Sequence, residues 1–267
     1  MRRMPAVAGH FYPAGAESLR SMVSGFIGKS APSRPAIGVM VPHAGYVFSG
    51  SFAGKTFGQV DVPPKVLIIG PNHTGYGQSL AVFCRGSWVT PLGEVAVEES
   101  LADKIVRSYP RLCADDLAHR FEHSLEVQLP FIQIKNPQAR IVPICLAPVP
   151  LHELLLLGEA IGKVLAEEPD PVLLVASSDM THYEPGQLAR QKDRMALEKI
   201  CRLDPEGLYR TVSDEHISMC GVVSMVVMLA AAKCLGALKG EVVCYGNSGE
   251  VTGDQSEVVG YAGVVVE

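Results

Sequence analysis

Charge is scarce in this chain. Asp, Glu, Lys and Arg make up 19% of its 267 residues, and the formal net charge is −5. No extended basic stripe exists, which argues against nucleic acid as the main partner. No apolar run reaches the roughly 18–20 residues of a membrane span. The longest, from about Ile217 to Ala232, is interrupted by Ser218 and Ser224 and reads as a buried helix. The opening stretch MRRMPAVAGHFYPAG lacks the apolar centre of a secretory signal. Seven cysteines occur without a single CxxC pair. Their odd number and their apolar settings predict reduced, buried thiols and a cytoplasmic protein. Walker A, GxGxxG after the first strand and GxSxG are all missing, which excludes the common phosphate-binding and serine-nucleophile signatures. With no repeat, linker or composition break, residues 1–267 read as one domain.

Apolar residues make up 48%, enough for a full core. Val-, Ile- and Leu-rich runs bounded by Gly or Pro predict strands at Ala36–Val41, Lys65–Ile69, Ser79–Phe83, Ile141–Leu146, Val172–Ala176 and Val258–Val265. Continuous apolar runs of this kind suit strands covered on both faces, as in a mostly parallel sheet. Helical spacing predicts helices over Ala16–Ile27, Glu98–Ser108, Glu122–Ile134, Leu151–Glu167, Gln187–Cys201 and Ile217–Leu235. The alternation gives an α/β layered fold. Trp88 and Pro91 in GSWVTPLG predict a turn or hairpin packed over the sheet, and the polar, Gly-rich stretch Gly246–Glu257 reads as a loop.

Chemistry-bearing residues follow the strands. VPHAGYVFSG places His43 directly after one strand, GPNHTGYG places His73 after another, and SSDMTHYEPG places Asp179 and His182 after a third. Ligands in open parallel sheets bind beyond the carboxyl ends of the strands. In RFEHSLEVQLPF, Glu122 and Glu126 are spaced to share a helix face, with His123 beside them. Such a pair is either a solvated helix face or, for Glu122, a carboxylate that orients a metal-ligating imidazole. Cys220 precedes Gly221 and the most apolar helix; it is either a small buried hydrophobe or a thiolate favoured by the helix N-terminus. Two or three histidines, one aspartate and one cysteine suffice for a transition-metal site with open positions.

These five motifs, with the N-terminal PAVAGHFYPA, resemble the Memo family, whose bacterial and archaeal members carry the label AmmeMemoRadiSam system protein B. The likeness spans nearly the whole chain. It implies a three-layer α/β/α fold with a mostly parallel central sheet, similar to class III extradiol dioxygenases. It also implies His43, His73 and Cys220 as metal ligands, with Asp179 and His182 as other pocket residues. Fe(II) is the metal of first choice, with Cu or Zn as alternatives. Extradiol enzymes use two histidines and a carboxylate; here a thiolate stands in the carboxylate's place.

Two readings follow. In the first, the chain is a non-haem iron protein acting in redox chemistry on a small molecule. His182 then exchanges a proton under the control of Asp179, and Glu122 and His123 support the ligands. In the second, the same cleft holds a peptide or partner loop without turnover, as an adaptor. A zinc hydrolase with Asp179 or Glu122 as general base is a weaker third. The family label adds a radical S-adenosylmethionine protein as an expected partner.

Overall fold

Four almost wholly buried strands run parallel, side by side, in the order Gly38–Val41, Val172–Ser177, Lys65–Pro71 and Arg140–Leu146. They form the middle of the sheet in the computed structural model, which describes residues 1–28 and 33–267. Register brings their carboxyl ends level: Met40 and Ile69 both pair with Ala176, and Ile69 also pairs with Ile144. Residues 42–43, 71–73 and 177–179 therefore leave the sheet along one edge.

The sheet as a whole is mixed, which corrects the mostly parallel expectation. Val258–Val266 runs antiparallel to Gly38–Val41 and carries two further antiparallel neighbours, Gly240–Asn247 and His182–Glu184. At the other side Leu80–Val82 runs antiparallel to Arg140–Leu146 and parallel to Cys113–Ala114. Antiparallel neighbours accept short connections, whereas a parallel pair requires a crossover. Parallel order is thus confined to the strands joined through helices. Arg2–Arg3 and the hairpin Ser87–Thr90/Gly93–Ala96 make a separate three-stranded sheet. Its Trp88 is fully buried, edge-on to Phe83 and beneath the Arg3 guanidinium.

The expected strands form with ends within two residues of the reading. Of the elements that the sequence does not predict, two helices and a strand are the longest. Tyr46–Gln59 is helical despite Gly50 and Gly54, because the Ala16–Ile27 helix lies against it. A Cβ at either glycine would come within 2.4 Å of Phe26. Close packing here outweighs the poor helix propensity of glycine. Pro205–Asp214 is helical, capped by the Asp204 carboxylate on the Gly207 N–H at 2.8 Å. Gly240–Asn247 is a strand, so the polar stretch after Gly246 only begins as a strand end before a single helical turn at Gly249–Thr252.

Two helix expectations shorten. Residues 122–125 are not helical: a 3₁₀ turn, Glu126–Gln128, leads into Leu129–Lys135, with Pro130 in its first turn. Proline is tolerated there because its missing N–H would lack a helical partner anyway. The Glu122 carboxylate accepts the Ser124 N–H at 2.9 Å, a local bond that competes with helix formation. The apolar helix begins at Val222 rather than at Ile217, and His216 lies outside it with φ of 50°. Among the described residues no helix is long and apolar enough to cross a membrane. Buried apolar side chains from the strands and helices join one continuous core.

Candidate metal centre

His43 leaves the Gly38–Val41 strand with its ring nearly inaccessible. Its backbone N–H donates to Asp179 Oδ1 at 2.7 Å, and its Nδ1 lies 3.0 Å from Ser177 Oγ. That hydroxyl gives its only proton to the Ser124 carbonyl at 2.6 Å and accepts from Gln128 Nε2 at 2.9 Å. It is left an acceptor for the imidazole. His43 therefore carries its proton on Nδ1 and presents a lone pair at Nε2. His73 is fixed in the same sense. Its Nδ1 lies 2.9 Å from Glu122 Oε1, and its backbone N–H donates to Oε2 at 2.6 Å. A carboxylate only accepts, so Nδ1 carries the proton of that bond and Nε2 is the nitrogen left uncommitted.

His123 completes the group. Ligand atoms of His43, His73 and His123 lie within 4.8 Å of one another. The His73 and His123 rings stack at 4.8 Å between centroids, and His43 stands edge-on to both. The sequence gives His123 only a supporting role; here it is one of the three side chains whose ligand atoms converge. Cys220 joins the cluster through His43, with Sγ 3.1 Å from Nε2, and also receives the Asp179 N–H at 3.3 Å. His182 hydrogen-bonds through Nδ1 to the Ser218 carbonyl at 2.9 Å, and its backbone N–H donates to Ser218 Oγ at 2.7 Å. It braces the segment that carries Cys220. Glu126 does not belong to the site: its carboxylate holds Arg3, Ala6, Val7 and Tyr12.

The Memo-like protein family profile matches residues 3–265. A MEMO1 family protein of Aquifex aeolicus is 44% identical over 98% of this chain and 98% of its own length. One from Methanopyrus kandleri is 42% identical over 99% of each. The chain belongs to the Memo family. The structure is also similar to that of an uncharacterised protein from Escherichia coli K12, with a TM-score of 0.57. At 13% identity, over 85% of this chain and 98% of that one, this likeness concerns the α/β fold alone.

Electrostatics in this Memo protein favour the neutral ring at His43 and at His123. Burial holds His43 well below its ordinary pKa, and the rings of His123, His73 and His182 add to the effect. Burial also lowers His123, against the pull of Glu122. For Glu122 the order is reversed. Burial alone would raise its carboxyl, but His73, by hydrogen bond and charge, and the Ser124 N–H bring it down to about 2. Asp179 is raised by burial, in spite of the His43 and Ala44 N–H groups. Burial and the Asp179 carboxylate push the Cys220 thiol up, so the nearby helix end does not by itself make it a thiolate. The residues that hold the rings, Ser124, Gln128 and Ser177, lacked a functional signal in the sequence. Their only trace was polarity within otherwise apolar stretches.

Proposed function

We propose that this Memo protein is a non-haem metal protein that binds Fe(II) and supports redox chemistry on a small molecule. The observation that carries the reading is the convergence of His43, His73 and His123 with two Nδ1 atoms already committed to acceptors. Imidazoles whose Nδ1 is held by an acceptor and whose Nε2 faces the cluster, as at His43 and His73, fit a first-row transition ion, and the Cys220 sulfur beside His43 extends the donor set. A bound ferrous ion would supply electron-transfer chemistry and open coordination positions. The chain's own residues then divide the work. Glu122 fixes the His73 ring, Ser177 fixes His43, and Asp179 secures the backbone between them. With its Nδ1 proton given to Ser218, His182 is left with Nε2 as a proton acceptor for the substrate.

The proposed architecture is the three-layer one of class III extradiol dioxygenases. The delivery of histidines from the carboxyl ends of parallel strands supports it. The proposed setting is the cytosol, which seven free thiols suit. The test is metal analysis of anaerobically purified protein, followed by His43→Ala, His73→Ala and Cys220→Ala. Stoichiometric iron in the parent, and its loss in both histidine variants, is the expected result. Full metal retention in His43→Ala and Cys220→Ala would remove these ligands, and zinc alone in the parent would remove iron.

A further inference from the structure

A cleft of about 580 Å³ reaches the imidazole cluster, with His73 and Cys220 in its wall. Leu146, Val212, Ile217, Met219, Val222 and Val223 supply most of the remaining lining. Asn72, Tyr209, Ser213 and His216 add uncharged or imidazole polarity, and among the described residues no Lys, Arg, Asp or Glu lines it. The wall that carries Cys220 is held in place. The Ile217 N–H donates to the Val212 carbonyl at 2.9 Å, and Lys192 Nζ donates to the His216 carbonyl at 3.2 Å. This chain does place charge in a cleft elsewhere: one of about 490 Å³ is rimmed by Arg190, Arg194, Arg202 and Glu198. An uncharged lining beside the metal centre is therefore a property of that cleft and not of the whole surface.

Burying a phosphate or carboxylate against such a wall strips its hydration, and the side chains of the lining themselves return no charged partner. An apolar body loses nothing of the kind and gains from leaving water. We infer that the cleft takes a neutral small molecule with an apolar body, one polar atom of which reaches the His73–Cys220 side. Phosphorylated and multiply carboxylated metabolites are disfavoured. The role of the polar atom rests on the metal reading above; the preference for a neutral apolar body does not.

The test uses one ring with two charges. Full-length protein, treated with chelator so that no cation can recruit an anion, is titrated with 1-naphthol and with 1-naphthyl phosphate, following ligand fluorescence. Naphthol is expected to bind at least about tenfold more tightly. Ser213→Arg alters an exposed lining position; it is expected to strengthen phosphate-ester binding about fivefold or more and to leave naphthol within about twofold. Val212→Trp fills the cleft and is expected to weaken naphthol, with a circular dichroism melt confirming that it folds. Equal or tighter phosphate binding by the parent, no naphthol binding at all, or no response of phosphate binding to Ser213→Arg would each overturn the inference. Failure to bind iron would leave these results standing, so the two readings fall separately.

Discussion

Glu122 and Glu126 are chemically identical, four residues apart, and fully buried. They serve different regions of the molecule. Glu122 turns to the carboxyl edge of the sheet, where it holds the His73 ring and backbone and lies 3.5 Å from His123 Nδ1. Glu126 turns to the beginning of the chain. There it pairs with Arg3, accepts the Ala6 and Val7 N–H groups at 2.8 and 3.1 Å, and accepts the Tyr12 hydroxyl at 2.6 Å. One carboxylate faces titratable rings whose ligand atoms gather within 4.8 Å of one another. The other faces a permanent cation and backbone donors with no further ligand to offer. What a buried carboxylate does is set by whether its partners have chemistry left over after bonding to it. Arg3 links the regions, since it also donates to the carbonyls of Glu122 and His119.

The largest effect should come from Glu126→Gln. It leaves the Arg3 guanidinium buried without its counter-charge, and breaking a buried pair in this way costs about 3–5 kcal/mol. Denaturant unfolding should show that loss. The folded fraction should still take up metal with unchanged stoichiometry, because the rings of His43, His73 and His123 make no bond to Glu126. A variant that keeps its stability but loses metal would reverse the roles assigned to the two carboxylates.

Glu122→Gln should do the opposite. Its amide oxygen can still accept the His73 N–H, but an NH2 group then replaces the oxygen that accepts from the His73 ring and the Ser124 N–H, and the charge that orients the ring is gone. Loss of such a supporting carboxylate typically weakens metal affinity 10–100-fold, equivalent to about 1.4–2.7 kcal/mol. Competition with a chelator of known affinity measures it. If affinity is unchanged, the His73–Glu122 contact is a fold contact only, and the comparison loses its functional half.

The sequence made one of these roles visible and concealed the other. Strand runs and the polar residues after them were legible, because strands buried on both faces tolerate no polar interruption. His43, His73 and Asp179 therefore stand out, and the sheet brings them to one edge; Cys220 is legible only as the residue before an apolar helix and through the family resemblance. Glu122 and Glu126 looked alike because the helical spacing of RFEHSLEVQLPF hid a turn. That turn depends on a side-chain bond to the Ser124 N–H and on Pro130 in the first turn of the following helix. The sequence gives His123 only a supporting role beside Glu122; the turn that replaces the helix start brings its ring to those of His43 and His73. The Tyr46–Gln59 helix is invisible in the sequence, since Gly50 and Gly54 make sense only once Phe26 is packed on them. Partners remote in sequence, such as Arg3 for Glu126, leave no local pattern at all.

Tyr12→Phe separates the regions with the smallest effect. The hydroxyl donates to Glu126 Oε1, which also accepts the Val7 N–H, so the carboxylate oxygen is not left bare when the hydroxyl is removed. The ring keeps its apolar packing against Tyr46. Only one hydrogen bond to a charged acceptor is lost, within a cluster that retains Arg3 and two backbone donors. A stability loss of about 1–2 kcal/mol is expected. Metal affinity should not change, because no bond of Tyr12 reaches Glu122 or the imidazoles. Measuring both quantities on this one variant tests whether the anchor and the metal centre are energetically separate. A matched fall in metal affinity would mean that the N-terminal segment positions the site through Arg3 and the Glu122 carbonyl. The two carboxylates would then act as one unit.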